Sequence, residues 1–123
     1  MLVPGEATLV RAFIGDDDTY YDVDGGKPLS EAIVREARRR GLAGATALRG
    51  LLGYGGSSII HSHIGLFSED LPVVVEIIDA HDKIAPFLPV LERMMRGGII
   101  TTQTVNVVRS LQKTPSPGRP RTG

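Results

Sequence analysis

Apolar and polar positions alternate along the chain in two alternating periods. Residues Ala7 to Gly15, "ATLVRAFIG", are β-branched and apolar and are closed by glycine and three aspartates, which predicts a strand. "DDDTYYDVDGGK" reads as a long polar loop. From Pro28 to Arg40, "PLSEAIVREARRR", the period becomes helical, with Leu29, Ile33 and Ala37 in one apolar stripe. Pro28 stands where its missing N–H costs nothing, and Gly41 is a natural stop. Glu31 with Arg35 and Glu36 with Arg40 are favourable i,i+4 pairs.

The pattern then repeats. "AGATALRGLLGYG" predicts a second strand, with Leu48 and Leu52 on one face and Gly50 between them. "PVVVEIID", Pro72 to Asp79, is apolar on both sides of the pleat and predicts a strand buried on two faces. A helix follows from Lys83 to Arg96, capped by Asp82, with Ile84, Phe87, Leu88, Leu91 and Met95 on one side. Pro89 deletes an interior hydrogen bond, so a kink or a loose first turn is expected. Gly97 and Gly98 end that helix, and "IITTQTVNVV" is a fourth strand.

Two β-α-β units in one short chain predict an α+β, ferredoxin-like βαββαβ sandwich. It has a four-stranded antiparallel sheet with both helices on one face. Residues 1–110 form the domain. Residues 111–123, with three prolines, two glycines and almost nothing apolar, read as a disordered tail. The uncovered sheet face carries Val, Ile, Leu and Tyr and is too apolar to stay wet, which points to oligomerisation through it.

Composition narrows the functional classes. The 14 basic and 14 acidic residues cancel, which gives no global electrostatic case for nucleic acid or an anionic membrane. Cysteine is absent, so disulfides, thiolate zinc sites and cysteine nucleophiles are excluded together. No apolar run approaches the ~20 residues that span a bilayer. The start "MLVPGEATLV" lacks the pattern of a signal peptide, and a cytoplasmic protein is expected. Serines 57, 58, 62 and 68 lie in no nucleophile elbow, so no enzyme is expected.

Candidate chemistry concentrates in "GYGGSSIIHSHIGLFSED", Gly53 to Asp70. Gly53, Gly55 and Gly56 with Ser57 and Ser58 can offer backbone N–H groups to an anion, or act as a hinge. No Lys follows at the spacing of a P-loop. His61 and His63 share one face of an extended segment and can ligate a metal, although a third ligand is not evident. The aspartates from Asp16 to Asp24 read as a solvated acidic loop, and Arg38, Arg39 and Arg40 as cations at a helix C-terminus.

Several segments carry a resemblance. "GKPLSEAIVREARRRGLAGATALRGLLGYGGSS", "LFSEDLPVVVEIID", "FLPVLERMM" and "GGIITTQTVNVV" resemble the PII-like family of the domain of unknown function 190, relatives of the nitrogen-regulatory PII proteins. The likeness spans Ala7 to Arg109. It implies a homotrimer with sheets facing inward and small effectors, such as an adenine nucleotide, bound between subunits. It also implies a loop between strands two and three that contacts a partner protein.

By position, Arg96, Gly97 and Gly98 occupy the phosphate-contacting turn, with Gly53, Gly55, Gly56 and Ser57 at the base of the loop. Tyr54, Ser58, Ile59, Ile60, His61, Ser62 and His63 are the partner-contact residues. A membrane transporter or channel such as a fluoride exporter is one candidate partner. No Lys or Arg lies between Arg49 and Lys83, so charge for a phosphate must come from elsewhere, and Arg96 is the choice. The alternative is a trimeric divalent-metal protein of the same fold, with His61 and His63 as ligands.

Overall fold

The computed structural model describes residues 2–54 and 71–111. Strand β1, Gly5–Gly15, runs the length of a four-stranded antiparallel sheet of order β4-β5-β1-β6. It pairs on one side with β5, Pro72–Asp79, from Thr8 opposite Asp79 to Gly15 opposite Pro72. On the other side it pairs with β6, Ile99–Val107, from Gly5 opposite Val107 to Phe13 opposite Ile99. Strand β4, Gly44–Arg49, completes the sheet beside β5. The expected ferredoxin-like sandwich is therefore the fold, with its helices on one face.

Helix α1, Leu29–Arg39, begins after Pro28, which caps it with extended backbone. Its end follows the chemistry of Gly41, whose φ of 76° lets Leu42 N–H reach the Ala37 carbonyl at 3.0 Å and Gly41 N–H the Arg38 carbonyl at 3.0 Å. Leu29, Ala32, Ile33 and Ala37 are buried, the expected stripe with one addition. The second helix is broken. A single turn, α2, His81–Ile84, is followed by α3, Phe87–Met94, which starts after Pro86. Pro89 falls in the first turn of α3, where an N–H would have no intrahelical partner. Asp82 does not cap: Ala80 takes that position, and Asp82 lies in the first turn.

The polar loop expected after β1 is instead a hairpin of β2, Thr19–Asp22, and β3, Gly25–Pro28. Asp22 Oδ1 accepts the Asp24 N–H at 2.8 Å, and its other oxygen meets Lys27 Nζ at 3.1 Å. This side-chain mimic of a turn, with Gly25 at φ 109°, closes the two-residue connection. Tyr21 lies opposite Gly26, where a Cβ would come within 2.8 Å of the ring.

One core fills the space between helices and sheet. It joins Val10, Ala12 and Ile14 of β1 with Val73, Val75 and Ile77 of β5, under Ile33, Ile84, Phe87 and Leu91. Residues of β5 alternate: Val73, Val75, Ile77 and Asp79 are buried, whereas Pro72, Val74, Glu76 and Ile78 are half-buried. Within one chain, then, β5 is not closed on both faces as its sequence predicts. The second strand is also shorter than expected. It stops at Arg49: Gly50 still donates its N–H to the Pro72 carbonyl at 2.6 Å, but Pro72 has no N–H to return, and Leu51 and Leu52 lie beyond, exposed.

Candidate functional site

Arg96, Gly97 and Gly98 form the turn between α3 and β6. They line a small hollow of about 340 Å³ with Glu92, Met95 and Ile100, and Arg96 is exposed to solvent. Gly98 is demanded by two local facts. Its φ is 102°, and a Cβ there would stand 2.3 Å from the carbonyl oxygen of Phe13. The turn is thus pressed onto the end of β1, which fixes where the Arg96 guanidinium emerges.

Gly53 and Tyr54, the described part of the loop base, are exposed and follow β4. A Cβ on Gly53 would lie 3.1 Å from Pro72 Cγ, so packing against Pro72 accounts for a small residue here. Gly55, Gly56, Ser57, Ser58, Ile59, Ile60, His61, Ser62 and His63 lie outside the described residues, as does the tail from residue 112. The turn at Arg96 to Gly98 and the loop base at Gly53 share one end of the sheet. The turn leads into the edge strand β6, whereas the loop base leaves the opposite edge strand, β4, and packs Gly53 on Pro72, the first residue of β5.

The third histidine has a structural occupation. His81 Nδ1 is hydrogen-bonded to Thr8 Oγ1, and its Nε2 lies 3.6 Å from Glu6 Oε1. Nearby, the buried Asp79 accepts N–H bonds from Ala43 at 3.0 Å and Ala80 at 2.7 Å, tying β4 and α2 to the end of β5. Among the described residues no group of three or more His, Asp or Glu side chains could hold a metal. The acidic segment is spent on local structure. Asp18 Oδ2 accepts the Gly15 N–H at 3.0 Å, Asp16 pairs with Arg49 at 3.1 Å, and Asp22 organises the hairpin. The Asp24 N–H and then Lys27 hold the Asp22 carboxyl below its usual range.

Arg38 and Arg39, read from the sequence as cations at a helix end with charge for a cleft as the lesser reading, gather with two further arginines at a second place. A hollow of about 890 Å³ opens between α1 and β4, walled by Arg35, Arg38 and Arg39 on the helix and Arg49 on the strand. The spacing of Arg35 and Arg38 put them on one helical side, but Arg49 comes from another element, and no local pattern joins them. Arg39 is also paired with Glu36 at 2.5 Å, and Arg40 meets the same carboxylate at 2.7 Å. The Arg39 bond, with Arg40 beside it, lowers the Glu36 carboxyl from 4.5 to about 2.

The uncovered sheet face is the other feature with functional weight. Leu48, Val74, Ile78, Leu9, Phe13 and Ile99 share it by register. In their midst Arg11 Nε donates to Glu76 Oε2 at 2.9 Å and Arg11 Nη1 to Gln103 Oε1 at 3.0 Å. No helix among the described residues is long and apolar enough to cross a membrane.

Comparison with known proteins places this arrangement. Residues 7–107 match the DUF190 family model, described as an uncharacterised ACR. A UPF0166 protein of Aquifex aeolicus is 38% identical over 101 residues, covering 81% of this chain and 91% of that one. A UPF0166 protein of Methanocaldococcus jannaschii is 28% identical over 99 residues, covering 79% and 88%. Among solved structures, CPII from Thiomonas intermedia K12, bound to ADP and bicarbonate, superposes with a TM-score of 0.57 at 15% identity, over 89% of this chain and 95% of that one. With the family match running from β1 to the last residue of β6, and a PII fold beneath it, the chain belongs to the PII-like DUF190 family.

Proposed function

We propose that this chain is a cytoplasmic regulatory protein that assembles as a homotrimer. It binds an adenine nucleotide between subunits and reports it through the segment joining β4 and β5. One observation carries the reading: at one end of the sheet the charged turn at Arg96 to Gly98 enters one edge strand, β6, and the segment through Gly53 leaves the opposite edge strand, β4. Rotation about an axis parallel to the strands keeps their height and brings the β6 edge of one copy beside the β4 edge of the next. The apolar open face supplies the reason to assemble, and the likeness to CPII, whose structure holds ADP, supports the ligand class. No chemistry on the ligand is required. The nucleotide acts by favouring one conformation of the reporting segment over another through its difference in affinity.

Calorimetric titration with ADP tests this. Arg96→Ala removes a planar, permanently charged phosphate partner and is expected to weaken binding by roughly tenfold to a hundredfold. The double change His61→Ala, His63→Ala should leave ADP affinity within about twofold, because this reading gives neither imidazole a phosphate contact. If the histidine pair abolishes binding while Arg96→Ala preserves it, the reading is wrong.

A further inference from the structure

We infer that the end of the molecule remote from the Arg96 turn is a docking surface for an anionic lipid bilayer. The formal charge of the chain is zero, but the fold sorts it along the sheet. Strand β1 runs from Gly5 at one end to Gly15 at the other, roughly 34 Å at the rise of an antiparallel strand. The five aspartates from Asp16 to Asp24 follow the Gly15 end. The exit of α1, the start of α2 and the exit of β6 lie at the Gly5 end, because Gly44 stands opposite Ile78, Asp79 opposite Thr8 and Val107 opposite Gly5. A Debye length at physiological salt is about 8 Å, so the two ends meet a charged surface separately.

Cations dominate the exposed surface of the Gly5 end. Arg38, Arg39, Arg40, Lys83 and Arg109 are exposed there, against the exposed carboxylates Glu6 and Asp82. The other two carboxylates have local tasks: the buried Asp79 accepts from Ala43 and Ala80, and Glu36 holds Arg39 and Arg40. Arg38, Lys83 and Arg109 have no ion-pair partner among the described residues. Ser110 and Leu111 border a hollow of about 490 Å³ with Leu2, Asp82 and Lys83, so the chain leaves the described structure beside this patch. Residues 112–123 then bring Lys113, Arg119 and Arg121 and no carboxylate.

Apolar side chains stand among these charges. Val3, Val108 and Leu111 are 66%, 82% and 68% exposed, each within four residues of the Gly5–Val107 pair that ends the sheet. Cations drawn to anionic headgroups bring such side chains to the acyl boundary, where their transfer out of water adds to the attraction. A nucleic acid offers nothing equivalent, and no Phe or Tyr among the described residues is exposed at this end to stack on a base. A second copy set end to end would place like charge against like. Each chain carries the surface by itself, away from the nucleotide turn, so the inference does not rest on the proposed assembly or its ligand.

The test is flotation of the full chain with vesicles of equal parts phosphatidylserine and phosphatidylcholine, and with vesicles of phosphatidylcholine alone. The chain should float with the first and not with the second, and raised salt should release it. A cation near such a surface is worth about fivefold in partitioning, so Lys83→Gln with Arg109→Gln should lower the ratio of bound to free chain about tenfold or more. Arg49→Gln with Arg93→Gln, the same charge change at the Gly15 end, should leave that ratio within about twofold. Val108→Ser with Leu111→Ser leaves every charge and should also lower it. All six positions are exposed, and unchanged thermal midpoints confirm that the variants fold. Failure of the wild-type chain to float with the anionic vesicles, equal losses from the two cation pairs, no loss from the Val108 and Leu111 pair, or tighter binding to duplex DNA than to the vesicles at the same salt overturns the proposal.

Discussion

The two faces of the sheet are made from the same strands and have different fates. Toward the helices, Val10, Val75 and Ile77 are wholly enclosed beneath Ile33, Phe87 and Leu91. On the other side the neighbours of those residues, Leu9, Val74 and Ile78, are only half-covered, and Leu48 is 50% exposed. The first face has no ionised group at its centre, whereas the second has Arg11 bonded to Glu76 and Gln103. The difference separates what a single chain completes for itself from what, on the proposed assembly, it leaves to a second copy. An apolar core stabilises by area and needs no direction, while a charged pair among apolar residues fixes how two copies are oriented.

The largest expected effect breaks the closed face. Phe87 is 2% exposed and belongs to the one core cluster that also holds the buried residues of β1 and β5. Phe87→Ala should cost about 3–5 kcal/mol in urea unfolding, because the ring's transfer energy is lost and a cavity remains. Phe13→Ala, the same deletion on the open face of the isolated chain, should cost less than about 1 kcal/mol. Equal costs would show that the faces are not distinct within one chain.

The open face is tested next. Val74 lies at its middle, opposite Phe13 on one strand and Leu48 on the other. Val74→Asp puts a carboxylate where apolar residues of neighbouring copies would meet, at a cost of several kcal/mol per copy if it is left unpaired. On the proposed assembly, light scattering should return a trimer mass for the wild-type chain and a monomer mass for Val74→Asp, with the far-ultraviolet spectrum retained. A trimer that survives Val74→Asp would move the interface elsewhere.

That contrast was partly legible in the sequence. The run "PVVVEIID" announced a strand with two apolar sides, and the β-α-β order placed both helices on one of them. The alternation of α1, its glycine stop and its acid-first pairs were equally plain, because each rests on residues within one turn of each other. The hairpin of β2 and β3 was missed although "TYY" before "DVDGG" carries both strand formers and a turn. The surrounding aspartates outweighed them, since the binding of Asp22 to its own turn is not visible in composition.

The candidate sites were less legible for a geometric reason. Gly98 was singled out for phosphate approach, yet its smallness is already required by the Phe13 carbonyl, a contact eighty-five positions distant in sequence. The arginine hollow joins a helix to an edge strand, and Arg38 looked like a helix-end cation because the partner wall at Arg49 comes from elsewhere in the chain. Local spacing reveals an element's own face. It does not reveal which two faces the fold sets opposite each other.

The smallest expected effect lies on neither sheet face, and so sharpens the comparison by leaving it undisturbed. Glu36 accepts from Arg39 and Arg40 on the outer surface at the end of α1, and its carboxyl titrates at about 2 instead of 4.5. Between those values the unfolded chain holds a proton that the folded chain does not. The pair's contribution is therefore complete above pH 4.5 and is lost as the pH falls toward about 2. Taken at face value such a shift is worth about 3 kcal/mol, but the Arg39 side chain is 67% exposed, and solvent screening reduces the expected contribution to about 1 kcal/mol. Glu36→Gln should lower urea stability by about that much at neutral pH and flatten the loss of stability across the acid window. Because neither arginine reaches the open face, the oligomer mass should not change. A variant with the same acid slope as the wild type would show that Glu36 is held no more strongly in the folded chain than in the unfolded one.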